Sequence, residues 1–68
     1  MKIQITIITD FGTFKSETMN VTKEEYENVC EFSKNYYQSG FEMICDDGGF
    51  LIIPPDIVRS TILKINIL

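Results

Sequence analysis

The densest run of polar chemistry in the chain is Asp46-Asp47-Gly48-Gly49. Paired aspartates offer hard oxygen ligands to a divalent cation, and adjacent carboxylates are raw material for acid–base catalysis. The spacing favours neither. The alternating ligands of a calcium-binding loop are missing, and Asp-Gly is among the strongest short hairpin signals. A hairpin tip also has no cleft to exclude water. The run reads as turn chemistry.

Other reactive constellations are thin. The chain has no histidine, so a Ser-His-Asp or Cys-His arrangement, a histidine base and a histidine metal ligand are all closed. Cys30 and Cys45 are too few for a four-cysteine zinc site and do not form a CxxC pair. Gly48-Gly49 lacks the lysine and flanking pattern of a phosphate loop, and the dinucleotide-binding spacing is absent. Ser16, Ser33, Ser39 and Ser60 have no activating base close in sequence. The expectation is a chain that is not an enzyme, with no cofactor and no metal.

The elements that position these residues are organised around Val21 to Phe41. Thr22 is a natural N-cap, Glu25 completes a capping box, and Val21 and Tyr26 occupy the staple positions. Gly40 is placed to stop the helix, with Phe41 touching Tyr36 as in a Schellman ending. Helical spacing gathers Tyr26, Val29, Cys30, Ser33, Tyr36 and Tyr37 on one face, with Phe32 at its edge. Glu24, Glu27, Glu31, Lys34, Asn35 and Gln38 fall on the other. By default that polar face is a solvated helix surface.

Strands flank the helix. Lys2 to Thr9 alternates, with Ile3, Ile5 and Ile7 on one side and Lys2, Gln4, Thr6 and Ile8 on the other. Asp10-Phe11-Gly12 reads as a three-residue hairpin turn into a strand from Thr13 to Met19. The parity of Phe14 and Met19 conflicts, which a bulge or an early strand end would reconcile. A second hairpin alternates Phe41, Met43 and Cys45 with Glu42, Ile44 and Asp46, then returns as Phe50-Leu51-Ile52-Ile53. Four apolar residues in a row predict a strand covered on both faces or central in the sheet. Pro54-Pro55 ends it, Asp56 to Ser60 suits a short helical turn, and Ile62 to Leu68 alternates again.

The predicted fold class is α+β with the order β-β-α-β-β-β: one mostly antiparallel sheet with a single helix packed on one face. Residues 1–68 form a single domain. A chain of 68 residues buries only about 60% of its unfolded surface and needs added stabilisation. With disulfide and metal unattractive, self-association remains, and the cysteines are expected to be buried free thiols. One helix covers one sheet face, leaving Ile8, Ile44, one of Ile52 or Ile53, Ile62 and Leu68 on the other. That second face is the candidate self-association surface of a homo-oligomer, a homodimer in the simplest case.

The ending GGFLIIPPDIVRSTILKINIL, the leaning towards isoleucine, lysine and asparagine, and the hairpin-helix-hairpin plan resemble small phage or prophage reading frames of low-GC bacteria. The resemblance is one of style and carries no functional motif. It implies a setting rich in accessory proteins that act by binding other proteins.

The leading expectation is therefore a small acidic protein-binding module, regulatory or inhibitory, with a protein partner. Glu24, Glu27 and Glu31 would face that partner, with Phe11 as an aromatic anchor. The alternatives are an acidic nucleic-acid mimic that blocks a DNA-binding protein, and a purely structural assembly component. Net charge −4 disfavours direct nucleic-acid binding. Phe11, Phe14 and Phe50 could stack on bases, but no basic stripe accompanies them. No segment is long enough to span a bilayer, and MKIQITIITD lacks signal-peptide features. The expected compartment is the cytoplasm.

Overall fold

The computed structural model describes all 68 residues, Met1–Leu68. In chain order the elements are β1 (Lys2–Thr9), β2 (Gly12–Lys15), β3 (Met19–Asn20), α1 (Lys23–Ser33), α2 (Tyr36–Ser39), β4 (Phe41–Ile44), β5 (Phe50–Ile53), α3 (Pro55–Val58) and β6 (Ile62–Ile67). The chain is thus a mixed α and β fold with antiparallel sheets. It carries three helical segments: α1 and α2 divide the single helix expected between Val21 and Phe41, and α3 falls at the short turn expected over Asp56 to Ser60.

β1 is the axis of the larger sheet. β2 and β3 pair with it on one side and β6 on the other, all antiparallel. Ile7 faces Phe14 in the β2 register, while Ile3 faces Met19 in the β3 register. The strand between those pairs holds one residue more than β1 does, so a bulge spans Ser16 to Thr18. The extra residue restores the parity, and Phe14 and Met19 share the face of Ile3 and Ile7. The turn into β2 is tighter than expected. Thr9 already pairs with Gly12, leaving only Asp10 and Phe11 between them. Thr9 Oγ1 accepts the Phe11 N–H at 3.0 Å and donates to the Gly12 carbonyl at 2.9 Å.

The bulge is also where the second sheet is attached. Ser16 bridges to Cys45, the Glu17 N–H donates to the Ile44 carbonyl, and the Asp46 N–H donates to the Lys15 carbonyl. From this corner the β4–β5 hairpin folds over the face of β1. Its inward residues Phe41, Met43, Cys45 and Ile53 form the core with Ile7 and with Val58 of α3. Ile5, Phe14, Tyr36, Leu51 and Leu63 pack around it. The thinnest dimension is 15 Å, consistent with two β layers stacked about 10 Å apart.

The cover expected from the helix alone is shared: the hairpin supplies the buried residues over Ile7, and α1 lies beside it near Ile5 and Met19. α1 buries no residue: Tyr26, Val29, Cys30 and Ser33 are half-buried and Phe32 is exposed. The hairpin wins because its two strands offer a continuous alternating face, whereas α1 has only a narrow apolar stripe. The capping box is present as expected. Thr22 Oγ1 accepts the Glu25 N–H at 3.1 Å, and Glu25 Oε1 accepts the Thr22 N–H at 2.9 Å.

The far end differs from the expected single helix. Ser33 Oγ donates back to the Val29 carbonyl at 2.8 Å, a bond that bends helices. Lys34 and Asn35 then donate to Glu31 and Phe32, three residues back, and the helix breaks. The break turns Tyr36 so that its hydroxyl reaches Thr61, 3.0 Å from Oγ1 and 3.2 Å from the carbonyl. Its ring meets Phe41 edge-on at 5.9 Å, the contact foreseen for the helix ending. Gly40 ends α2 with φ 81° and ψ −178°, a glycine region but not the left-handed helical one. A Cβ there would lie 2.8 Å from the Ile53 carbonyl oxygen.

β5 is neither central nor covered on both faces. It pairs only with β4 and is an edge strand, with Phe50 and Ile52 facing outward. Prolines at 54 and 55 fit that position, since proline next to a strand is tolerated at an edge.

Candidate interaction surface

α1 presents Glu24, Glu27 and Glu31 to solvent along one stripe. The stripe is partly neutralised, because Lys34 Nζ pairs with Glu31 Oε2 at 2.9 Å. Glu25 belongs to the cap instead. The hydrogen bond from the Thr22 amide holds its carboxyl below the ordinary value. Phe11 stands at the tip of the β1–β2 turn and is 82% exposed. α1 starts at the other end of β1, where the Val21 N–H donates to the Met1 carbonyl. An eight-residue strand spans roughly 26 Å, so Phe11 and the helix start lie at opposite ends of the sheet.

The isoleucines expected to share a second sheet face are also dispersed. Ile8 and Ile62 are opposed in the β1–β6 register and both exposed. Leu68 lies at the other end of β6, its N–H donating to the Lys2 carbonyl. A polar cluster separates them. Asn66 Nδ2 donates to Thr6 Oγ1 at 2.9 Å and to the Gln4 carbonyl at 3.3 Å, while Gln4 Nε2 donates to the Ser16 carbonyl at 3.0 Å. Ile44 sits elsewhere, on the outer side of the β4–β5 hairpin.

That outer side carries an apolar strip of which Ile44 and one of Ile52 or Ile53 were expected to be exposed, while Phe32 and Phe50 were not assigned to it. Ile44 is opposite Phe50 and Glu42 is opposite Ile52, so alternation puts all four on one face. Phe32 of α1 borders the same strip, lining one groove with Glu42 and Ile44 and a second with Glu42, Ile52 and Pro54. Phe32, Ile44, Phe50 and Ile52 are each between 51% and 65% exposed. The first groove, about 470 Å³, runs between α1 and β4, with Ile5, Met19, Val29 and Met43 contributing apolar walls. It exists because α1 sinks no residue into the layer below. One signal for the strip was available: the two prolines after Phe50–Ile53 mark an edge, and an edge leaves alternate residues open.

Asp47 and Gly48 build the hairpin turn. Asp47 Oδ1 accepts the Gly49 N–H at 2.8 Å, and Gly48 takes φ 87° in the same turn. No three His, Cys, Asp or Glu side chains converge as a metal would require. Cys30 and Cys45 are free thiols. Burial, reinforced by Asp47 and Asp46, pushes the Cys45 thiol above its ordinary value and keeps it protonated. No helix is long and apolar enough to cross a membrane. Comparison with protein-family models, curated proteins and solved structures finds no match for this chain.

Proposed function

We propose that the chain is a small non-enzymatic protein-binding module, regulatory or inhibitory, that engages a partner through its apolar strip and also self-associates. The observation that carries this reading is the strip of Phe32, Ile44, Phe50 and Ile52 beside an open apolar groove, in a chain that buries only ten residues. Fully burying one such side chain is worth about 1.5–3 kcal/mol. Four of them, each more than half exposed, hold several kcal/mol in reserve for binding, on the scale of a small domain's whole stability. Contiguous apolar surface of this kind marks interfaces. The free thiols suit a reducing compartment, and a cytoplasmic setting is part of the proposal.

The nucleic-acid mimic rests on the Glu24 and Glu27 stripe. Lys34 on Glu31 shortens that stripe, so the apolar reading comes first. The test is tagged co-purification of the wild type and of Phe32→Glu at low and high salt. The proposal expects a stoichiometric protein retained at high salt by the wild type and lost from the variant. Binding that disappears with salt and survives Phe32→Glu would favour the mimic.

A further inference from the structure

We infer that two copies of this chain pair through the free edge of β5, antiparallel about a two-fold axis at Leu51, with Phe50 of each copy opposite Ile52 of the other. The inference rests on the self-associating part of the proposed function and specifies its interface.

The backbone fixes the register. The Cys45 N–H donates to the Gly49 carbonyl at 2.7 Å. Antiparallel alternation then assigns the β4–β5 hydrogen bonds to the pairs Met43–Leu51 and Phe41–Ile53. Phe50 and Ile52 consequently turn their N–H and C=O groups away from β4. The same alternation turns the Ile44 carbonyl away from β5, where it does accept the Glu17 N–H. Pro54, the next outward position, has no N–H to offer. The open edge is therefore two residues long, Phe50 and Ile52. The register that uses both is self-complementary: each Phe50 exchanges two hydrogen bonds with the other copy's Ile52, four in all.

The side chains agree. Exposed edges are ordinarily blunted by shortness, charge, proline or a bulge; β5 is short and stops at Pro54, but no charge or bulge interrupts Phe-Leu-Ile-Ile. β6, the other outer strand, carries exposed Lys64 in its middle. In the proposed register each Phe50 lies across from the partner copy's Ile52 on the outer face, flanked by Ile44. Edge pairing sets these side chains side by side on one continuous outer face that stays open to a partner protein, so the contact falls at the small end of specific interfaces, below about 1,200 Å² in total. The dimer is accordingly weak and concentration-dependent.

The experiment is sedimentation of the whole chain from micromolar to millimolar concentration, with amide hydrogen exchange on the same samples. Wild type, Ile52→Lys and Ile8→Lys are compared, since both substituted positions are exposed and leave the core intact. The inference predicts a rise from 7.8 kDa to twice that mass. It also predicts concentration-dependent protection of the Phe50 and Ile52 amides, loss of dimer in Ile52→Lys, and no change in Ile8→Lys. A wild type that stays monomeric throughout overturns both the inference and the self-association beneath it. A dimer that survives Ile52→Lys, or that Ile8→Lys abolishes, overturns the β5 pairing alone.

Discussion

Ser16 and Ile5 hold each other twice: the Ser16 N–H donates to the Ile5 carbonyl at 2.8 Å, and Ser16 Oγ accepts the Ile5 N–H, also at 2.8 Å. The hydroxyl then donates to the Glu17 carbonyl at 2.9 Å. A side chain thus completes the ladder where the bulge removes a backbone partner, at the point where the second sheet joins the first. Ser16→Ala leaves the Ile5 amide unpaired in a nearly closed site. It should cost about 1–3 kcal/mol, read as a lower urea midpoint with unchanged slope. A loss below about 0.5 kcal/mol, the range of ordinary surface changes, would show that the corner does not depend on this hydroxyl.

Gly40 and Gly48 separate conformational strain from steric exclusion. Both have positive φ, 81° and 87°, but a Cβ at Gly40 meets the Ile53 carbonyl at 2.8 Å while one at Gly48 meets nothing within 4 Å. Gly48→Ala should cost about 1–2 kcal/mol for the backbone alone. Gly40→Ala should cost more, because the α2 end must move off β5. Equal melting temperatures for the two variants would contradict the close approach.

The acid limb of the stability curve should carry the capping box. Thr22 lowers the folded-state pKa of Glu25 from its ordinary 4.5. A depressed carboxylate stabilises the fold above its unfolded value, and that contribution is lost as pH falls through the folded value. Glu25→Gln should flatten stability against pH in this window. Thr22→Ala should do the same and also cost about 1 kcal/mol at neutral pH. Denaturant midpoints measured from pH 3 to 7 check both.

Cys45 and Cys30 should differ in alkylation. Cys45 is buried with a raised pKa, whereas Cys30 is half-buried on α1. Iodoacetamide in native buffer should label Cys30 first and Cys45 only as the chain opens, as peptide mass mapping would show. Equal rates would mean that the hairpin does not close over β1. The raised thiol also implies a sign: its contribution is full below the unfolded thiol value and declines as pH rises beyond it.

What was legible in the sequence was local. Thr22 with Glu25, the Asp-Gly turn at 46–49 and the alternation of Ile3, Ile5 and Ile7 each rest on contacts a few residues apart. The conflict of Phe14 with Met19 was enough to signal the bulge. What was not legible depends on distant partners. Nothing near Ser33 announces that the helix must break so that Tyr36 can reach Thr61, 25 residues on. Nothing near Thr6 announces Asn66, whose amide divides the isoleucines of the second face. Periodicity marked both the helix and the hairpin as amphipathic, and only packing decides that the hairpin supplies the buried residues over β1 while α1 buries none. Phe50-Leu51-Ile52-Ile53 looked buried because an apolar run hides its own parity. The prolines behind it held the contrary sign.

The apolar strip and the acidic stripe of α1 are the two surfaces open to a partner. The most direct measurement is amide chemical-shift mapping of the isotope-labelled chain, titrated with the protein it co-purifies with, at low and high salt. The apolar reading predicts perturbations centred on Phe32, Ile44, Phe50, Ile52 and the adjoining groove, persisting at high salt. Perturbations confined to Glu24, Glu27 and Glu31, and erased by salt, would contradict it.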